Sequence, residues 1–143
     1  MAAETFFDTS VLVYAFDSSE VKKHDIALNM INRITASGGG VISSQVLLEL
    51  YNVLTRFAAN PLTSKETGGI VKYFTEASMW RKIDYNLPIA IRAVEAAARF
   101  KTNIWDTLIA ETMKENGVYT IATENEKDFK KIKGITIINP FKK

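Results

Sequence analysis

The sequence has no cysteine and a single histidine, His24, among its 143 residues. The missing thiols exclude disulfides, iron–sulfur clusters, thiolate zinc sites and cysteine nucleophiles, and nothing indicates an oxidising compartment. One histidine also excludes a multi-histidine metal site within one chain, and a Ser-His-Asp triad would have to use that residue. A divalent metal, if the protein uses one, must therefore be held by oxygen ligands.

Long hydrophobic runs and a strong excess of either charge are also missing. No stretch reaches the ~20 apolar residues that a membrane span requires, and no signal peptide is recognisable, so we expect a cytoplasmic protein. The net charge of +2 is too small to indicate a nucleic-acid partner by itself. Residues 126–143, however, hold six lysines and two acids, a basic strip suited to phosphate attraction or to simple solvation.

Length and composition predict one globular domain over residues 1–143, since 47% of the residues are hydrophobic. Short β-favouring runs alternate with helical patterns, which predicts an α/β domain with a mainly parallel central sheet. Residues 11–16 fit either a short helix or a continued first strand. We expect strands at 5–7, 41–42, 79–85, 118–122 and 135–138, and helices at 23–36, 45–59, 64–76, 87–100, 104–115 and 127–132.

Carboxylates follow or flank these elements near the strand ends, where parallel sheets place their sites. Asp8 ends the first strand and, taken alone, is most simply a turn or helix cap. Glu49 borders the apolar stripe of its helix, where pairing with Arg56 is the simplest interpretation. Asp106 lies on the apolar side of its helix at helical spacing from Ile109, so its carboxylate needs a partner there.

Residues 123–128 add hydroxyl, amide and carboxylate groups after another apolar strand, although each alone is most simply part of a polar loop. Three or four converging carboxylates would repel one another and raise their pKa values. Mg²⁺ or Mn²⁺ would relieve that repulsion, and such an ion suits phosphodiester hydrolysis. The P-loop, dinucleotide and nucleophile-elbow motifs are absent. Trp80 and Trp105 are able to stack on bases, but a core or interface position is the simpler interpretation.

Four segments resemble the motifs of PIN-domain ribonucleases, in the same order along the chain. They are FDTSVLVY at 7–14, VISSQVLLELYNV at 41–53, IWDTLIA at 104–110 and IATEN at 121–125. Residues 134–141 resemble the terminal strand of that family with its Asn-Pro-Phe end. The VapC-like toxins of toxin–antitoxin pairs are the most similar group. The resemblance implies a three-layer α/β/α domain with a parallel sheet.

The resemblance also implies Mg²⁺- or Mn²⁺-dependent endonucleolytic cleavage of RNA by a metal-activated water. Matched residue by residue, Asp8, Glu49 and Asp106 are the acidic catalytic and metal-site residues. Ser10 and Thr123 are the matching supporting hydroxyls near the metal. The group further implies a homodimer, which we expect to form through the helices after residue 61. It also implies a small antitoxin whose tail occupies the acidic cleft.

Asn125 departs from the family pattern, which commonly has Asp at this position. An asparagine keeps a carbonyl oxygen ligand but loses a charge, and it would complete the metal shell or orient the water. Either the site works with three acids, or Asp128 or Glu124 supplies a fourth. The departure leaves open a PIN-fold RNA- or protein-binding module with weakened chemistry. A metal-dependent DNA nuclease or phosphatase that uses the same acids is also left open.

Overall fold

The computed structural model describes residues 3–142, so Lys143 of the predicted basic strip lies outside the described residues. Five strands form one sheet in the order β3-β2-β1-β4-β5, and every neighbouring pair is parallel. The parallel sheet predicted from the sequence is thereby confirmed. The strands are β1 Thr5–Phe7, β2 Gly40–Ser43, β3 Trp80–Ile83, β4 Thr120–Ala122 and β5 Thr136–Ile138.

Helices pack on the sheet to form the predicted three-layer α/β/α arrangement. A 3₁₀ turn, Val13–Phe16, extends the first helix, and a π turn, Val53–Phe57, extends the third. Among residues 3–142, none of the helices is long and apolar enough to cross a membrane. The helices are α1 Thr9–Leu12, α2 Val21–Ser37, α3 Ser44–Asn52, α4 Ser64–Glu76, α5 Leu87–Phe100, α6 Ile104–Glu115 and α7 Glu126–Phe129.

Side-chain caps explain why several predicted helix bounds are correct. The Asn86 side chain accepts a hydrogen bond from the Ile89 N–H at 3.0 Å, where α5 begins. Asn103 accepts from the N–H groups of Trp105 and Asp106 at 2.9 and 3.2 Å, where α6 begins. Each cap satisfies donors that the first helical turn leaves free and contributes about 1 kcal/mol. The predicted ranges 87–100 and 104–115 therefore match the structure.

Other predicted elements differ from the observed ones in their bounds or their type, at places where regular hydrogen bonding or strand pairing ends. The helix predicted at 45–59 ends as α at Asn52, and the hydroxyl of Thr55 donates to the Tyr51 carbonyl at 2.8 Å within the π turn that follows. Such back-bonding competes with the regular backbone pattern. The strand predicted at 79–85 keeps only the four residues that pair with β2. The helix predicted at 127–132 shortens to α7, and residues 11–16 adopt helix rather than strand.

The main core lies between the sheet and the helices and contains Trp80, which is 1% exposed. Its indole packs edge-on against Phe7 and Phe74, each at 5.2 Å between ring centroids, and donates to Thr35 at 3.2 Å. A second, smaller cluster of Ile89, Ala93 and Leu108 joins α5 to α6. This second cluster holds α6, and therefore Asp106, in place.

At β1 the chain changes the side of the sheet on which it adds strands. The chain leaves β1 for β2 on one side, and it later returns to place β4 on the other side of β1. Crossovers that depart in opposite directions leave a crevice beyond the carboxyl end of the strand between them. The topology therefore predicts a site at Asp8, the residue after β1.

Gly40 tests how closely β2 packs against its neighbours. A Cβ at this position would overlap the Ile34 side chain and lie 2.8 Å from Cζ3 of the buried Trp80. We expect Gly40→Ala to lower the free energy of unfolding by about 1–3 kcal/mol, measured by urea denaturation.

Gly69→Ala is the matched control, because a Cβ there meets nothing within 4 Å and the residue lies inside α4. It should raise the free energy of unfolding by about 0.5–1 kcal/mol, since alanine favours helix. Equal effects of the two substitutions would contradict the tight packing at Gly40.

Candidate active site

Asp8 lies directly after β1, and its side chain is 7% exposed. Its N–H donates to the carbonyl of Ala122 at 3.0 Å, which joins it to the end of β4. One carboxylate oxygen, Oδ2, accepts from the hydroxyls of Thr123 at 2.7 Å and Ser10 at 2.9 Å. Asp8 occupies the N-cap position of α1, yet its side chain makes no capping hydrogen bond. The carboxylate therefore forms hydrogen bonds within the crevice and does not cap the helix.

The two predicted supporting hydroxyls tie the β1 and β4 loops together around Asp8. Ser10 Oγ accepts from the Glu124 N–H at 3.0 Å, and Thr123 Oγ1 accepts from the Asn125 N–H at 2.9 Å. The hydroxyl oxygens of Ser10 and Thr123 lie 3.3 Å apart. Burial raises the pKa of Asp8, and the hydrogen bonds from Thr123 and Ser10 act against that rise.

Glu49 projects from α3 with one carboxylate oxygen, Oε1, buried and without a hydrogen-bond partner. The helix position of Glu49 suggested a pairing with Arg56, but this pairing does not form. The ion pairs among residues 3–142 include neither side chain. Burial, together with the smaller effects of the Asp8 and Asp106 charges, raises the pKa of Glu49 to about 7. The nearby Gln45 side chain acts against this rise in the pKa of Glu49.

Asp106 lies in the first turn of α6 and is half-buried, as its position on the inner side of the helix predicted. The partner that this position requires is Asn125, whose Nδ2 donates to Asp106 Oδ2 at 3.5 Å. This distance leaves the hydrogen bond weak. Burial, together with the smaller effects of the Asp8 and Asp128 charges, raises the pKa of Asp106 to about 6. The structure therefore brings Asp106 and Asn125 together with Asp8.

The two predicted sources of a fourth acid differ in their surroundings. Glu124 accepts a hydrogen bond from the Tyr14 hydroxyl at 2.8 Å and forms an ion pair with Lys23. Asp128 instead lies near enough to Asp106 for its charge to raise the pKa of that carboxyl. Tyr14 and Lys23 were not predicted as site neighbours. They lie more than 100 residues from Glu124 in the sequence, and no local spacing indicates the contact.

The donor set at this crevice fits a hard divalent cation. The charge of Asp8 helps to raise the pKa of Glu49 and of Asp106, and the charge of Asp106 helps to raise that of Glu49. Glu49 Oε1 has no partner, and none of the ion pairs among residues 3–142 includes any of the three acids. The donors are oxygen atoms, which Mg²⁺ and Mn²⁺ prefer. Among residues 3–142, no three acidic or histidine side chains are already arranged as a ligand set. A cation would therefore have to draw these side chains closer together.

A scan against protein-family models matches residues 5–135 to the PIN domain. The matched range includes the three acids, the two supporting hydroxyls and Asn125. No curated protein sequence matches the chain.

Several solved structures share the fold. A chain of DNA-bound VapBC from Salmonella typhimurium matches with a TM-score of 0.68 and 21% identity, covering 97% of this chain and 99% of that one. VapBC2 from Rickettsia felis, bound to a promoter DNA fragment, matches with a TM-score of 0.66 and 22% identity, covering 94% and 97%. VapC20 from Mycobacterium tuberculosis, a toxin that cleaves the sarcin–ricin loop, matches with a TM-score of 0.67 and 16% identity, covering 87% and 92%.

The raised pKa of Glu49 predicts how stability depends on pH when divalent cations are removed. The folded carboxyl has a pKa of about 7, against an ordinary value of 4.5. Between these values the folded state binds more protons than the unfolded state, so stability falls as the pH rises to about 7 and stays low above it. In chelator, we expect Glu49→Gln to unfold at a higher temperature than the wild type at pH 8, with the difference shrinking towards pH 5.

Glu95→Gln is the control for this thermal-unfolding series, because Glu95 is an exposed acid on α5. It should show no such pH-dependent gain. Adding Mg²⁺ or Mn²⁺ should stabilise the wild type more than Glu49→Gln, since a ligand stabilises only the state that binds it. If the difference in unfolding temperature between the wild type and Glu49→Gln were the same from pH 5 to pH 8, the raised pKa of Glu49 would be contradicted.

Proposed function

The chain belongs to the PIN domain family, and from that premise we propose that it is a metal-dependent endoribonuclease. We further propose that it is the toxin of a VapBC-type toxin–antitoxin pair. The observation that carries the first proposal is the buried, unpartnered Oε1 of Glu49 beside Asp8 and Asp106 at the carboxyl end of β1. Carboxylates held there without a positive charge are suited to a cation-dependent reaction at a phosphodiester.

Asp8, Glu49 and Asp106 would hold Mg²⁺ or Mn²⁺. When bound, the cation would polarise the scissile phosphate and lower the pKa of a water molecule. Ser10 and Thr123 act through Asp8, because their hydroxyls donate to the carboxylate oxygen Oδ2 and hold it in one orientation. Carboxylates fixed in this way lose little further freedom when they bind a cation.

Asn125 supports a site that works with three acids. Its amide donates to Asp106, a neutral contact that adds no further charge to a carboxyl whose pKa is already raised by Asp8 and Asp128. Its carbonyl oxygen remains available as a ligand or to orient a water molecule. Asp128, rather than Glu124, is the further acid whose charge reaches this site, because Lys23 and Tyr14 already bind Glu124.

The proposed partners are an RNA substrate and a cognate antitoxin, with the whole chain acting as one domain in the cytoplasm. The exposed lysines of the basic strip, among them Lys127, Lys130 and Lys131, would attract the RNA backbone and make its binding salt-dependent. The crevice carboxylates would in turn bind a cationic side chain of an antitoxin segment. The structural neighbours in VapBC assemblies support such a partner.

We also propose a homodimer formed through α5. Its inner side packs on α6, but its outer side exposes an apolar stripe of Leu87 at 79%, Ile91 at 59% and Val94 at 59%. The spacing of four and three residues places these side chains on one helical face. Exposed apolar stripes of this kind are typical of interfaces.

The nuclease proposal predicts metal-dependent cleavage that requires Asp8. Purified wild-type protein incubated with total RNA and Mn²⁺ should give discrete fragments, and chelator should abolish them. Asp8→Ala should lower the rate by more than about 100-fold, because it removes an acid of the cation site. Thr123→Val should lower it by about 10- to 100-fold, because the hydroxyl orients that acid. Asp25→Ala, which removes an exposed aspartate on α2, should leave the rate unchanged.

Asn125→Asp separates an active nuclease from a binding module. If the site works with three acids, the wild type cleaves RNA, and the added charge of Asn125→Asp should tighten Mn²⁺ binding in a titration. Cleavage by Asn125→Asp but not by the wild type would instead identify a binding module with a lost active site. Parallel reactions with DNA and with a small phosphate ester test for a DNA nuclease and a phosphatase, since preferential turnover of either compound would replace RNA as the substrate.

The dimer proposal is tested by sedimentation velocity at micromolar concentration. The wild type should sediment as a dimer, and Ile91→Glu should raise the dissociation constant by roughly tenfold or more, because it places a charge in the apolar interface. Val21→Glu alters an equally exposed apolar residue on α2 and should leave the dimer intact. A monomeric wild type, or equal effects of the two variants, would contradict an interface on α5.

A further inference from the structure

The two tryptophans of the chain have opposite environments. Trp80 is 1% exposed in the main core, whereas Trp105 is 58% exposed at the start of α6. Among the residues described, Trp105 takes part in none of the aromatic pairs, and its indole N–H has no hydrogen-bond partner. An indole with this much exposed surface gains free energy from any flat apolar group that covers it.

The backbone beneath this indole is held on both sides. The Trp105 N–H donates to the Asn103 side chain at 2.9 Å, and the Trp105 carbonyl accepts from Gln45 Nε2 at 3.1 Å. The α5–α6 cluster fixes the rest of the helix from its inner side. The backbone of Trp105 is therefore fixed before a ligand stacks on the ring, so no backbone entropy has to be lost on binding.

The position of Trp105 links it to the carboxylate crevice. Asp106 is the next residue in the chain. The Gln45 side chain that donates to the Trp105 carbonyl lies one turn before Glu49 on the same face of α3. Leu48, one turn from Gln45 along the same face of α3, is 70% exposed. The exposed Trp105 and Leu48 are thus the chain neighbours of Asp106 and Glu49, and the amide of Gln45 lies beside both.

We propose that Trp105 is the stacking platform for an unpaired nucleobase next to the scissile phosphate, with Leu48 and Gln45 completing the subsite. This inference rests on the proposed ribonuclease function for its substrate class. An aromatic ring stacks on any base, and it favours single-stranded segments because their bases are free to leave the helix. Because Gln45 Nε2 donates to the Trp105 carbonyl, the side-chain oxygen Oε1 is the group that is available to accept a hydrogen bond from the edge of that base.

The proposal makes Trp105 a specificity-determining residue rather than a catalytic one. A base held on the ring places the neighbouring phosphate beside Asp106 and Glu49, so stacking selects which phosphodiester enters the crevice. The substrate at this position is therefore an unpaired nucleotide, such as one in a loop or a single strand.

Intrinsic fluorescence tests the proposal directly, because Trp105 is the exposed member of the two tryptophans. The probe is a single-stranded oligoribonucleotide of about eight nucleotides, bound with Ca²⁺ in place of Mg²⁺ or Mn²⁺, since Ca²⁺ also takes oxygen ligands. We expect this oligomer to quench the fluorescence of the wild type, and an abasic oligomer of equal length to leave it unquenched.

Affinities measured by anisotropy of the labelled oligomer then separate the contribution of the ring. Trp105→Ala should weaken binding of the base-containing oligomer by about 5- to 150-fold and leave binding of the abasic oligomer unchanged. Trp105→Phe should retain most of the affinity, because it keeps an aromatic face. Tyr119→Ala is the matched control: Tyr119 is 55% exposed but precedes β4, at the opposite end of that strand from the site, and its loss should have no effect.

Three results would overturn the platform. They are unchanged RNA affinity in Trp105→Ala, equal loss of affinity for the abasic oligomer, and a shift of Trp105→Ala to a smaller sedimenting species with RNA binding retained. The last result would assign the indole to a protein contact instead.

Different experimental results would overturn the stacking proposal and the nuclease proposal. RNA cleavage by the wild type with unchanged cleavage sites and affinity in Trp105→Ala would overturn the platform alone. Base-dependent quenching without cleavage by the wild type would overturn the nuclease and leave a base-binding subsite. Absence of both quenching and cleavage in the wild type would overturn both.

Discussion

Repulsion among Asp8, Glu49 and Asp106 is the interaction around which this end of the molecule is organised. Each carboxyl is held at the crevice by a different element, namely the end of β1, the middle of α3 and the first turn of α6. Because these elements are packed into the fold, the side chains have limited means of moving apart. Burial therefore raises the pKa of all three carboxyls, and repulsion adds to the rise at Glu49 and at Asp106.

The hydrogen bonds that offset this repulsion are distributed unevenly over the three carboxyls. Asp8 receives two hydroxyl hydrogen bonds, Asp106 receives one weak amide contact, and Glu49 Oε1 receives none. A fully compensated cluster would have no need of a cation, and an exposed one would bind it weakly. The partly compensated cluster lies between these cases, which is the arrangement expected of a site that uses a divalent ion. Glu124, paired with Lys23, instead fastens the β4 loop to α2.

The sequence predicted most of the fold because the relevant interactions are local. Helical spacing and capping residues identified α4, α5 and α6 with correct bounds. The errors occurred where bounds depend on distant partners or on local competition. The strand at 79–85 shortened to its paired residues, and the helix at 45–59 changed to a π turn near Thr55. The Glu49–Arg56 pair was a local prediction that failed, because the tertiary structure turns the Glu49 carboxylate towards the crevice.

By itself, the sequence determined the chemistry that is available: no thiols, one histidine, and a set of acids and hydroxyls placed beside predicted strands and helices. Those properties follow from composition and from spacing of a few residues. The tertiary structure alone decided which of these groups meet, since Thr123 contacts Asp8 across 115 residues and Tyr14 contacts Glu124 across 110. It also decided which tryptophan is buried and that Glu49 Oε1 is buried without a hydrogen-bond partner. Burial and long-range contact depend on how the strands are ordered in the sheet, and no local pattern of residues encodes that order.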